Sequence, residues 1–289
     1  MKLELAGTID VLIAFLLAPL LPGIINRVKA VCGGRRGQPL LQCYHDVIKL
    51  LKKGAVYSRT TSHVLRAGAV IAPAAMVAAL LLLPVPGRRA VMSFTGDVVL
   101  WAYLLGVARF FTMAAALDTG SSFEGMGASR EAFFSALCEP VLLLVLLLMG
   151  MHSSGGPVAA LVAVALIIVL LSENSRIPFD DPNTHLELTM IHEVMVLDHG
   201  GPDFGFITYA AALKLWMYGM LFSAAAVLPV FRPEGWLPQT GVFLASMVVF
   251  AVIVGMVESL MARLRLTRVP QAILAGGALC VLAIAFALR

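Results

Sequence analysis

Charge is scarce in this chain. Only 13% of its 289 residues are Asp, Glu, Lys or Arg, while 60% are hydrophobic. A soluble globular protein carries about twice that share of charge. Surface grows too steeply with size for a water-soluble domain to hide so much apolar area. The composition therefore excludes an ordinary cytosolic enzyme, a disordered chain and a secreted disulfide scaffold. Cysteine is scarce too: Cys32, Cys43, Cys138 and Cys280 include no C-x-x-C pair. That removes a zinc knuckle and an iron–sulfur ligand set, so any redox centre serving this protein is expected on other chains. No phosphate loop, dinucleotide fingerprint or hydrolase triad is present. The formal charge of +4 is no sign of nucleic-acid binding, because in a membrane protein the placement of charge matters more than its sum.

What is present is a series of long apolar runs. Eight stretches, 5–25, 67–86, 97–117, 132–151, 157–173, 205–230, 239–262 and 269–288, approach or exceed the roughly 20 residues needed to cross a bilayer. They lack the alternation of a β-barrel strand, and lipid cannot satisfy an open backbone. The expected fold is therefore all-α: one polytopic transmembrane domain over 1–289 with about eight spans. The first run lacks a basic leader and a small-residue cleavage site and reads as a retained helix. The loops after spans 1, 3, 5 and 7 hold fourteen of the 21 basic residues and the opposite side five, with Arg109 and Lys214 inside spans. That asymmetry places the long loops in the cytoplasm of a prokaryotic inner membrane and both termini outside.

Two cytoplasmic loops are long enough to dock a partner. In 26–66, Leu40, Leu41, Tyr44, Val47, Ile48 and Leu51 recur at helical spacing, which predicts an amphipathic interfacial helix. It serves as an orientation anchor, a docking surface or a lid over a lateral cavity. In 172–204 there are seven acids, three histidines and one base, Arg176. Asp181-Pro182 reads as a helix start and Gly200-Gly201-Pro202 as a stop. His185, His192 and His199 would then share one face. A metal site is one reading of that face, but His192-Glu193 has no second histidine at zincin spacing. Hydrogen bonding at a protein interface suits the pattern better.

Ionisable residues inside spans are expensive and mark pathways by default. At about 1.5 Å per residue, Arg109, Glu139 and Lys214 all lie roughly 12–14 Å deep from the cytoplasmic side. Glu258 is shallower and Asp118 lies near a span end. One reading is a satisfied buried ion cluster. The other is a hydrated axis in which Glu139 changes protonation as neighbouring cations compete for it.

The run Glu173-Asn174-Ser175-Arg176-Ile177-Pro178-Phe179-Asp180-Asp181-Pro182 resembles the loop between the fifth and sixth helices of the quinone-channel subunit of respiratory complex I. The continuation from His185 through His192-Glu193-Val194-Met195 is more similar to a sister branch, the membrane subunit of formate hydrogenlyase and other group 4 nickel–iron hydrogenases. Ala18–Lys29, Gly125–Ala132 and Glu258–Pro270 agree with the same family. Where the complex I pattern has three glutamates, this chain has Asn183, His185 and Glu187, which favours the hydrogenase-linked branch. The resemblance implies a non-catalytic subunit of an oxidoreductase, either hydrogenase or NADH:quinone type. Its partners would be the hydrogenase large and small subunits, carrying nickel–iron and iron–sulfur centres, and antiporter-like membrane subunits. It also implies a lipid or quinone in a lateral cavity, the quinone-channel role being the alternative function. The expected proton or ion path comprises Glu139, Arg109, Lys214, Glu258, Glu173, Glu187 and Asp118. The expected partner-docking residues are Arg130, Arg176, Asp180, Asp181, His185, His192 and Glu193.

Overall fold

The computed structural model describes residues 5–85, 88, 90–151, 156–181, 190–227, 231 and 235–288. Within them the chain is all-helical: α1 (Leu5–Leu17), α2 (Leu20–Cys32), α3 (Gln42–Leu51), α4 (His63–Leu82), α5 (Asp97–Asp118), α6 (Ser122–Gly150), α7 (Gly156–Glu173), α8 (Gly201–Phe222), α9 (Trp236–Leu260) and α10 (Val269–Ala287). Seven helical segments are long and apolar enough to cross a membrane, and the bent pair α1–α2 meets the same test when its two helices are counted as one span. The polytopic helical fold expected from the sequence is therefore the one observed. α8 forms the hub: 72% of its apolar stretch is buried inside the chain, against 28–44% for the other long spans. α4 and α3 pack on α8, α5 lies along α4, α2 along α9, and α10 on α6 and α7. The α4–α5 contact closes on Gly68, where a Cβ would stand 2.8 Å from the Phe111 carbonyl oxygen. Small residues allow such close helix approach where no water drives association.

Three elements depart from the sequence expectation. The first span is bent by 45° between α1 and α2. Pro19 has no N–H to give to the Phe15 carbonyl. The Tyr209 hydroxyl donates to that carbonyl instead at 2.8 Å, and the Tyr44 hydroxyl donates to the next one, Leu16. Two tyrosines from α8 and α3 thus satisfy the opened backbone, as lipid cannot. The fourth span begins at Ser122 rather than at 132. Its first turns carry Glu124, Arg130 and Glu131, which interrupt the apolar pattern, but each finds a partner inside the fold. The helix expected from Asp181 to about Leu197 is replaced, in its described part, by a single 3₁₀ turn, Glu193–Val196; residues 182–189 lie outside the described residues. The amphipathic α3 does form. None of its residues is fully buried, and Leu40, Leu41, Ile48 and Leu51 at its surface stay exposed.

Candidate functional site

α5, α6, α7 and α8 each contribute a charged side chain to one place. Glu131 and Glu139 lie two turns apart on α6, hence on one face. Arg109 projects from α5 between them. Its Nη1 donates to Glu139 Oε1 at 2.5 Å and its Nε stands 3.4 Å from Glu131 Oε1. Its Nη2 donates to both oxygens of Glu173, the last residue of α7, at 2.6 and 2.7 Å. Lys214 of α8 approaches Glu173 Oε2 at 3.0 Å and donates to the Glu173 carbonyl at 2.5 Å. The sequence placed Arg109, Glu139 and Lys214 at one depth, and the structure joins them through Glu173 and Glu131.

Two properties of the network bear on chemistry. The first is its charge: two cations face three carboxylates, so with all five ionised it carries one surplus negative charge. A surplus charge in a low-dielectric site is relieved by taking up a proton or cation. Glu173 is gripped by both cations, whereas Glu131 has the longest contact of the three. The second property is access. The Glu139 side chain is 52% exposed, against 6% for Arg109 and 2% for Glu173. It opens beside Gly106 of α5 on the lateral face of the bundle.

A cavity of about 240 Å³ borders the network. Ala72, Met76, Leu105 and Leu215 give it apolar walls. Arg109, Glu131, Glu173, Arg176, Lys214 and His192 line its polar side.

Around it, the 173–203 segment is fastened by its own charges. Arg176 donates to Glu258 Oε1 at 3.2 Å, and Lys29 reaches Glu258 Oε2 at 2.7 Å. Glu258 therefore forms a second cluster, joining α2, α9 and this segment. Asp180, 1% exposed, accepts the backbone N–H groups of Ile191 and His192 at 3.0 and 3.1 Å and the Arg263 guanidinium at 2.9 Å. Arg130 donates to the Met190 carbonyl at 2.9 Å. Asp180 and Arg130 thus fasten the loop to the bundle from within the chain. At Gly127 a Cβ would meet Val194 Cγ1 at 2.3 Å, which shows how closely the loop lies on α6. Burial and the Lys214 charge push the His192 pKa down to about 4, so the imidazole is neutral at pH 7. Burial lowers that of His199 as well.

The remaining expected residues stand apart from the network or lie outside the described residues. Asp118 accepts the N–H groups of Ser62 and Leu65 at 2.7 and 3.2 Å, capping α4 away from the network. Asp181 stays next to Asp180 at the edge of the described chain, and Glu193 lines a separate pocket with His192. Glu187 and His185 lie outside the described residues. Among the described residues no group of three His, Cys, Asp or Glu is placed to hold a metal.

Sequence reading passed over two buried acids. Glu124 is 1% exposed and accepts the Asp198 N–H at 3.1 Å. Asp10 pairs with Arg88, which also donates to the Trp236 carbonyl at 3.1 Å and to Thr240. An aspartate inside the first apolar run was a signal for that pair.

Comparison with known proteins agrees with this architecture. Residues 6–288 match the family model described as NADH dehydrogenase. Formate hydrogenlyase subunit 4 of Escherichia coli K12 is 30% identical, the alignment covering 93% of each chain. Hydrogenase-4 component C of the same organism is 30% identical over 77% of this chain and 74% of its own. Among solved structures, a chain of the membrane-bound sulfane sulfur reductase, an archaeal respiratory membrane complex, superposes with a TM-score of 0.80 at 20% identity, covering 96% of this chain and 98% of that one. Matched by the family model from end to end, with a 30% identical relative covered almost completely, the chain belongs to the NADH dehydrogenase subunit 1 family.

Proposed function

We propose that this chain is a membrane-arm subunit of a hydrogenase-type respiratory complex. It holds a cytoplasmic arm carrying nickel–iron and iron–sulfur centres, formed by hydrogenase large and small subunits, and couples electron transfer there to proton or sodium movement through antiporter-like neighbours. The observation that carries the reading is the Arg109 network: five ionisable groups joined where α5, α6, α7 and α8 meet, one cation short of neutrality, with Glu139 half-exposed. Intramembrane charges of this kind belong to ion routes. A half-exposed carboxylate on a lipid-facing helix also calls for a membrane neighbour that supplies a proton or a cation.

The names of the two curated relatives favour the hydrogenase class. The second reading, a quinone channel of an NADH dehydrogenase, draws on the apolar-walled cavity beside the network, which suits a lipid or quinone tail. Purification of the native complex and mass spectrometry of its subunits separates the two. Hydrogenase large and small subunits are expected. Co-purifying NADH-oxidising subunits with bound quinone would favour the alternative.

The reading also includes a prokaryotic inner-membrane location with both termini outside, supported by the basic-residue asymmetry. A reporter fused after Arg289 is expected to be active on the periplasmic side, and activity in the cytoplasm would reverse the orientation.

A further inference from the structure

A second cavity, of about 410 Å³, lies between α3 and the start of α8 on the side of the long loops. Asp46, Lys49 and Lys53 of α3 give it a charged wall, and Glu193 adds to it. It shares four wall residues with the inner cavity: His192, Ile207, Thr208 and Ala211. These four form the partition between an outer pocket and the pocket that borders the Arg109 network. Ile207 and Ala211 move no proton. The Thr208 hydroxyl is committed to the Phe204 carbonyl of its own helix at 2.8 Å. His192 alone of the four has a side chain that accepts a proton on one atom and releases one from another.

We propose that His192 is the relay that carries protons from the outer pocket to Glu131 in the inner cavity. The inference rests on the reading of the Arg109 network as an ion path and names its point of entry. A hydronium ion in the outer pocket protonates one ring nitrogen. The other nitrogen gives up its proton, through water in the inner cavity, to the Glu131 carboxylate. The ring is left neutral in the opposite tautomer and resets by rotation. The inner cavity is large enough for several waters, each of which occupies about 30 Å³ in the liquid. Glu131 lines the same inner cavity as His192. It has the weakest grip on a cation among the three carboxylates, so it is the one most ready to accept.

The groups acting on the imidazole suit a relay. Lys214 and Arg109 on the inner side disfavour a lasting imidazolium, and Asp180 opposes them. Asp46, Glu193, Lys49 and Lys53 line the outer side. A ring that is neutral at rest and charged only in passing does not trap the proton. The backbone at His192 is fixed by its N–H donating to Asp180, which holds the ring in the partition.

The test uses the whole complex in sealed inverted vesicles. It reads protons taken up per pair of electrons passed from a reduced viologen dye to protons, with imidazole as the added probe. His192→Ala is expected to lower this ratio at least about tenfold, a modest share of the roughly 100- to 10,000-fold that positioned acid–base groups contribute, and imidazole in the medium is expected to restore it. Glu139→Gln, which interrupts the network itself, is expected to lose the ratio without restoration. A normal ratio in His192→Ala alongside a lost one in Glu139→Gln would overturn the relay and leave the network reading intact. Normal ratios in both would overturn the network reading, and the relay with it. Loss in His192→Ala that imidazole does not restore, or vesicles that transport sodium and no protons, would also overturn the relay. His192→Gln keeps the size and one hydrogen-bonding edge; if it and His192→Ala both fail to assemble, the role is structural and the proposal falls.

Discussion

Arg109→Leu is expected to leave almost no assembled complex in the membrane. Glu131, Glu139 and Glu173 would then have Lys214 as the one cation left in the network, three carboxylates to one ammonium. Removing one partner of a buried ion pair costs about 3–5 kcal/mol, and here one removal strips three contacts. The total stability of a domain is about 5–15 kcal/mol, so the fold around α5, α6 and α7 has no margin for it. Arg109→Lys is expected to recover only part of the level, since one ammonium cannot fork to three carboxylates as a guanidinium does. Arg109→Leu combined with Glu131→Gln and Glu139→Gln restores balance, one carboxylate to one ammonium, and is expected to assemble. Quantifying the subunit and its co-purifying partners in extracted membranes checks all three. A full level of complex in the single Arg109→Leu variant would refute the ion-pair account.

Asp180→Ala is expected to unfasten the 190–200 segment from the bundle. The substitution removes the acceptor of two backbone N–H groups and of the Arg263 guanidinium at once. Unsatisfied buried donors cost about 1–3 kcal/mol each, more when charged. Limited proteolysis of the detergent-extracted subunit should show cleavage within residues 190–200 at a protease level that leaves the wild type whole. Asp180→Asn keeps one acceptor oxygen and should fall between them. Unchanged resistance in Asp180→Ala would mean that packing at Gly127 and the Arg130 bond seat the loop by themselves.

The apolar runs announced the membrane spans because each is continuous and long, and that signal survives any detail of packing. Arg109, Glu139 and Lys214 were legible as candidates for the same reason: a charge in an apolar run stands out. Glu131 was not legible as a network member. It lies where α6 is still polar in sequence, so the pattern placed it in a loop, and only the tertiary contact with Arg109 shows that the helix already runs there. Asp180 was legible as a member of a docking loop, but its contacts within the chain were not, because two backbone amides and an arginine converge on it only through the fold. The bend after Leu17 was written in Pro19. Its two hydroxyl partners were not legible, because Tyr44 and Tyr209 are distant in sequence and meet the opened turn only through the fold.

On the proposed function the network conducts charge as well as binding helices together, and Glu139→Gln separates the two roles. The substitution removes the surplus negative charge, leaving Arg109 and Lys214 opposite Glu131 and Glu173, so the complex is expected to assemble at a level close to wild type. Glutamine at the lateral opening cannot carry a proton or a charge onward. Ion movement into sealed inverted vesicles, measured per pair of electrons passed by the cytoplasmic arm, is therefore expected to fall at least about tenfold, a modest share of the roughly 100- to 10,000-fold that positioned proton-transfer groups contribute. An assembled Glu139→Gln complex that moves ions at the wild-type ratio would contradict the account.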